Sequence, residues 1–244
     1  MGYAARMVDE RALYLAWCDG DRKAGAELFD RHYEPLARFF HNKVDESASA
    51  DLVQAAFLAC TESKDRFRGD ATFRTFLFAI AHHLLCAHYK SRRREALHRA
   101  SPWQKRAPLA SESDDGADFA EICSADLAPS PSSIHRAGEE QRLVLEGLRR
   151  IPIECQEVLE LHYWEQMETA EIADVIGVPQ GTVKSRLQRG RRLLAEKLSR
   201  LTTSKDVLRS TLSDLDGWAR GLRERLAKDL GGAEPERTGS REGP

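Results

Sequence analysis

The chain has 244 residues, enough for one large domain or two small ones, each able to bury a core. Its 37 Lys and Arg against 39 Asp and Glu leave a formal net charge of −2, so total charge alone points to no partner. No stretch nears the roughly 18 apolar residues of a spanning helix, and five scattered cysteines (Cys18, Cys60, Cys86, Cys123, Cys155) form no CxxC pair. The N-terminal "MGYAARMVDERALYLAW" lacks a signal-peptide core. The expectation is a cytoplasmic protein with reduced thiols and no membrane insertion.

Through the first hundred residues Gly and Pro are scarce and apolar residues recur at helical spacing. Two helices are expected in "LYLAWCDGDRKAGAELFDRHYEPLARFF", broken near Asp19-Gly20-Asp21. A third is expected over 50–62 and a long fourth from about Ala71 to Arg94. Residues 101–136 are rich in Ser, Ala, Pro and Asp without periodicity, the composition of a flexible acidic linker. Helical texture resumes near Ala137, Pro152 opens the next helix, and two more follow over 169–195. Beyond residue 200, Leu208, Leu212, Leu215, Ala219, Leu222 and Leu226 mark an amphipathic helix of under three heptads, followed by a tail of disordered composition. The expected fold class is all-α, with two small helical domains and a C-terminal helix. Residues 8–100 form the first domain, 101–136 the linker, 137–200 the second domain and 201–244 the extension.

The charges are segregated. Residues 90–106 hold seven Lys or Arg against Glu95, residues 111–131 hold six acids and no base, and residues 180–200 hold seven Lys or Arg against Glu196. Two basic islands around an acidic segment suit a polyanion better than the net charge does.

The second island lies in helix-turn-helix grammar. Thr169 is placed to cap a first helix, with Glu171 in its first turn. Gly177 supplies a left-handed C-terminal residue, Val178 plugs the turn, and Pro179 suits a helix start. In the second helix, Val183, Leu187 and Leu194 point inward at steps of four and seven. A rotation of 100° per residue then turns Gly181, Lys184, Ser185, Gln188 and Arg192 outward, with Arg189 beside them and Arg186 nearer the buried edge. Cations flanking Ser and Gln at a helix's first turns suit a major groove, the cations on phosphates and the amide on base edges. The competing reading, a solvated charged face, usually mixes signs, and this face has no acid before Glu196.

On the long fourth helix Phe73, Leu77, Ile80, Leu84 and His88 share one side, and His82, Cys86, Tyr89 and Arg93 share the opposite, outward side; "HHLLCAH" (82–88) thus places His82 and Cys86 four apart, but three or four metal ligands are needed and His88 points elsewhere. No Gly-rich phosphate loop, nucleophile motif or acid/base pair suggests an enzyme, and no cofactor or metal is expected.

"LRRIPIECQEVLELHYWEQMETAEIADVIGVPQGTVKSRLQRGRRLL" resembles region 4, the −35-reading domain of bacterial RNA polymerase sigma factors of the extracytoplasmic-function type. "GDRKAGAELFDRHYEPLARFF", "ADLVQAAFLAC" and "DRFRGDATFRTFLFAIAHHLLCAHYKSRRR" resemble the same family's region 2, in the same order. The resemblance implies a factor that binds core RNA polymerase and recognises −35 and −10 promoter elements. Asp51, Leu52, Gln54 and Phe57 would form the polymerase-binding helix. Lys64, Arg68, Phe76, His83, Lys90 and Arg93 would bind opened −10 DNA, where cations and aromatic faces serve splayed bases. Thr182, Lys184, Ser185, Arg186, Gln188, Arg189 and Arg192 would bind the −35 duplex. His83 and Phe76 stand where family members commonly carry Asn and Trp. The partners implied are core polymerase and promoter DNA, and the resemblance admits an anti-sigma factor. The rival reading is a stand-alone helix-turn-helix repressor or activator dimerising through the C-terminal helix, which leaves the first domain unused.

Overall fold

The computed structural model describes residues 3–64, 71–99 and 139–201. Eight helices and no strand occur among the described residues: α1 (Tyr3–Cys18), α2 (Arg22–His41), α3 (Glu46–Glu62), α4 (Phe73–Arg99), α5 (Glu139–Arg149), α6 (Ile153–Tyr163), α7 (Thr169–Ile176) and α8 (Gln180–Leu201). The expected linker over 101–136, the extension from 202 onward, and Arg68 lie outside the described residues.

The break between α1 and α2 falls at the expected Asp19-Gly20-Asp21. Gly20 takes φ of 101°, a left-handed value that glycine adopts without a Cβ penalty. Asp21 then caps α2, its carboxylate accepting from the Lys23 and Ala24 amides at 2.9 and 3.3 Å. Close packing follows, because a Cβ on Gly25 would sit 2.3 Å from the Trp17 ring. Asp45 caps α3 by accepting from the Ala48 amide at 2.9 Å.

Helices α1–α4 bury Leu28, Leu36, Phe40, Ala56, Cys60, Leu77, Phe78 and Leu85 between them. Such burial, at roughly 1.5–3 kcal/mol per large apolar side chain, is what holds short helices together. Burial pushes the Cys60 thiol up to about 12, with Cys18 nearby adding to it, so this thiol is inert at neutral pH.

Helices α5–α8 form a second group in which α8 packs on α5, α6 and α7. Gly190 lets α8 approach α6 closely: a Cβ there would meet Leu159 at 3.0 Å and Cys155 at 3.3 Å. Helix α6 is enclosed, with Ile153 through Leu161 all buried, Glu154, Gln156, Glu157 and Glu160 included. Buried carboxylates require partners. Most of theirs lie on the first group of helices.

Candidate nucleic-acid interface

Helix α8 carries the most clearly formed face. Gly177 closes α7 in the left-handed conformation, φ 67° and ψ 32°, and Val178 packs against the core. The Pro179 carbonyl accepts from the Thr182 and Val183 amides at 2.8 and 3.3 Å, so Pro179 stands just before α8 rather than inside it. The cap of α7 is Glu168, one residue earlier than expected; its amide donates to the Glu171 carboxylate at 2.8 Å. Thr169 serves the turn instead, its hydroxyl accepting from Gln180 Nε2 at 2.8 Å.

Val183, Leu187 and Leu194 are all buried, which fixes the rotation of α8. Lys184, Ser185, Gln188, Arg189 and Arg192 are consequently exposed, with Thr182 and Arg186 half-buried. Ser185 donates to the Thr182 carbonyl at 2.8 Å, leaving its oxygen as an outward acceptor. Arg189 leans 3.5 Å from the buried Glu154 carboxylate. The sequence did not single out Arg191, which donates to the Tyr163 hydroxyl at 2.7 Å and lies 5.4 Å over that ring. It braces α8 against α6 while remaining exposed at the surface. No periodicity rule finds this contact, because it joins residues 28 positions apart.

Helix α4 is different. Phe73, Leu77, Phe78, Ala81, Leu85 and Tyr89 are buried, with Ile80 and Leu84 partly so. Tyr89, expected on an outward side with His82, Cys86 and Arg93, instead donates its hydroxyl to the Lys43 carbonyl. The cause is that α4 is packed on two sides, by α1–α3 and by α7. His83 is exposed, and its Nδ1 donates to the Ala79 carbonyl at 2.7 Å, leaving Nε2 directed outward. Phe76, Lys90 and Arg93 are half-buried, the Phe76 ring 6.5 Å from that of Phe73. Lys64 stands at the end of the described stretch, its ammonium 5.7 Å from the Trp17 ring.

On α3, Asp51 and Gln54 are exposed and Phe57 is half-buried, stacked near Phe29 and Tyr33. Leu52, which the resemblance places on the polymerase-binding helix, is 9% exposed and faces the core, sharing the inner side of α3 with Val53, Ala56 and Cys60. Leu58 and Tyr33, each 58% exposed, are the large apolar side chains available there, and the sequence reading missed both. An apolar residue in a helical sequence reads as core by default, which hid them.

The rest of α4's outward side meets acids of the second group. His82 Nδ1 donates to Glu157 at 2.8 Å, and its Nε2 lies 3.5 Å from Cys86 Sγ. Burial opposes charge on His82, but the Glu157 carboxylate and the Cys86 contact outweigh it and push the pKa up to about 10. Burial alone would raise Glu157; His82, Lys43 and Arg186 instead hold it below the usual carboxylate range. Arg74 donates to the Glu165 carbonyl at 2.6 Å and approaches Glu171 at 3.4 Å. Arg38 meets Glu165 at 3.0 Å, and the fully buried Lys43 pairs with Glu160 while donating to the Phe39 carbonyl at 2.8 Å. Both ring nitrogens of His82 thus have protein partners. No cluster of three metal-ligating side chains occurs among the described residues, and no helix among them is long and apolar enough to cross a membrane.

Residues 28–95 match the family described as Sigma-70 region 2, and residues 141–194 match Sigma-70, region 4. The ECF RNA polymerase sigma-E factor of Haemophilus influenzae is 25% identical over 197 residues, spanning 81% of this chain and 99% of that protein. The ECF RNA polymerase sigma-E factor of Escherichia coli K12 is 26% identical over 184 residues, spanning 75% of this chain and 90% of that protein. The fold is similar to that of the sigma factor RpoE, solved with the anti-sigma factor NepR from Bartonella quintana. That likeness has a TM-score of 0.53 at 18% identity and covers 71% of this chain and 96% of that one. A stand-alone repressor is not favoured, since it leaves the region 2 match without a use. With both regions matched in order on one all-helical chain, the protein belongs to the extracytoplasmic-function sigma factors, which act with core RNA polymerase to recognise promoters and direct transcription initiation.

Proposed function

We propose that α8 reads the −35 duplex through Lys184, Ser185, Gln188, Arg189 and Arg192, while α4 and the segment before it capture opened −10 DNA. The observation that carries this division is the one-signed, outward face of α8, set by burial of Val183, Leu187 and Leu194. Lys184 and Arg192 suit phosphates, and Gln188 suits an adenine edge. Thr182 and Arg186, half-buried at the margins of that face, serve as backbone contacts.

On α4, exposed His83 is the base-edge candidate, with Phe76 a stacking surface and Lys64, Lys90 and Arg93 the backbone cations; Arg68 belongs to the same basic segment. Polymerase docking uses exposed Asp51 and Gln54 beside Phe57, with Leu52 shaping α3 from beneath. Residues 8–100 then form the polymerase and −10 domain, 137–200 the −35 domain, 101–136 the tether and 201–244 an extension. The protein works in the cytoplasm, supplies no catalytic group, and leaves the chemistry to the polymerase. The relative solved with an anti-sigma factor supports such a factor as a third partner.

Core polymerase reconstituted with this chain, used in transcription from genomic DNA, tests the proposal. Initiation at a defined promoter set, lost without the chain, is the expected result. Tight duplex binding by the chain alone, with no effect of core, is the result that would count for a repressor.

A further inference from the structure

Away from the seam where carboxylates of the second helical group meet cations of the first, one buried acid has a different outlook. Glu154 lies in the first turn of α6, behind α8, with its side chain 4% exposed. Its Oε1 is 3.5 Å from Arg189 Nη1, and its Oε2, also enclosed, has no hydrogen-bond partner. The Arg189 side chain is 55% exposed and pairs with no other carboxylate among the described residues. Lys184 and Arg192, the other outward cations of α8, pair with no carboxylate among those residues. The electrostatics agree with the geometry. Burial first, and Glu154 second, push the Cys155 thiol up to about 11 while Arg189 and Arg186 oppose them, so carboxylate and guanidiniums act on one small volume.

As a stabilising device this pair is poor. An enclosed carboxylate is costly unless hydrogen bonds satisfy it. One cation at 3.5 Å, beyond the about 2.7–2.9 Å of a charge-assisted bond, repays little of that cost. A half-exposed guanidinium adds little more, because water competes for it. What the arrangement supplies is direction. With Nη1 turned to Glu154, the Nε–Nη2 edge of the guanidinium is the free one. That edge carries two parallel N–H donors, spaced for the O6 and N7 atoms of a guanine in the major groove. A long side chain held at one corner also has less freedom to lose when DNA arrives.

We infer that Glu154 is a positioning residue for promoter recognition: from behind α8 it holds Arg189 so that the guanidinium presents its fork to one guanine of the −35 duplex. Lys184 and Arg192, with no acid behind them, stay free to follow the phosphates. The inference rests on the reading of α8 given above and adds to it a residue that touches no DNA. It also has a signature that a structural role lacks. Removing Glu154 takes a negative charge from beside the phosphates, which favours every sequence alike. Loss of the held fork, by contrast, penalises only the sequence with the guanine.

Holoenzyme binding to a library of −35 variants in an otherwise fixed promoter gives the base preference position by position. Arg189→Ala should erase a guanine preference of about tenfold or more at one position. Glu154→Gln, nearly the same shape, should cut the preference at that same position by about fivefold, with other sequences bound no more weakly than by wild type. The two substitutions combined should match Arg189→Ala alone. Glu154→Asp keeps the charge but withdraws it by one methylene, so its preference should fall between wild type and Glu154→Gln. Assembly with core polymerase reports that each variant folds, and Glu154→Asp carries the test under the same criteria if Glu154→Gln does not assemble. An assembled Glu154→Gln chain that loses binding equally at all positions, changes a position other than that of Arg189→Ala, or matches wild type would overturn the inference. Further loss of preference in the combined variant would overturn it too. A wild-type holoenzyme with no preference at any −35 position would instead overturn the reading of α8.

Discussion

Helices α4 and α8, both proposed to contact promoter DNA, are presented differently. The outward face of α8 is exposed along its first turns, with Lys184, Ser185, Gln188, Arg189 and Arg192 meeting solvent. The outward face of α4 is partly shut, with Arg74 and His82 tied to carboxylates of the other helical group. The difference fits what each helix is proposed to read. A duplex offers its groove edges and phosphates from outside, and a solvated helix can meet them directly. An opened strand exposes its bases only after melting, so the surface proposed for it is needed later than one for duplex.

The largest change expected is at the seam. Glu160→Ala leaves Lys43 buried without its carboxylate, a loss of about 3–5 kcal/mol to the packing of the two helical groups. Hydrogen exchange in α6 should rise by the corresponding factor, while duplex binding through α8 should stay as in wild type. If both helices lost function together, the contrast between them would be wrong.

On α8, Gln188→Ala should change which base is preferred at one −35 position, worth about 1–3 kcal/mol of discrimination. Binding across a library of −35 variants reads this directly, and a uniform loss would remove Gln188 from base readout. Lys184→Ala should act oppositely, weakening all sequences alike and reducing the salt slope of duplex binding by about one unit.

The gentlest handle is pH. His82 has its pKa raised in the folded chain, so its contribution is full below the ordinary 6.5 and is lost as pH climbs through about 10. Glu157 has its pKa lowered, so its contribution is present above the ordinary 4.5 and is lost as pH falls. Protection of α6 amides from hydrogen exchange, corrected for the intrinsic pH dependence, should therefore be greatest near pH 4.5–6.5 and decline toward alkaline pH. His82→Gln should flatten the alkaline limb, and a limb that persists unchanged would assign it to another group.

Helix positions were legible because Asp21, Gly20, Pro152 and Gly177 act through local backbone chemistry, which sequence displays. The face of α8 was legible for the same reason: Val183, Leu187 and Leu194 belong to one helix, and their spacing alone gives its rotation. What could not be read involves residues far apart in the chain. Glu157, Glu160 and Glu165 look like surface acids until Lys43, His82 and Arg38 are seen opposite them, at separations of 75 to 127 residues. A signal was available in "IECQEVLELHYWEQ", where acids three apart interrupt an otherwise apolar helix. Tyr89 was misplaced by the same limit, since rotation identifies a side of a helix but not how many sides are covered.

The division of labour between the two helices is tested most directly by footprinting holoenzyme on a promoter that it transcribes. Wild type should protect duplex around −35 and render bases near −10 reactive to a single-strand probe, with Gln188→Ala altering only the first signal and His83→Ala only the second. Protection of one duplex site by the chain without core, or loss of both signals from either substitution, would contradict the account.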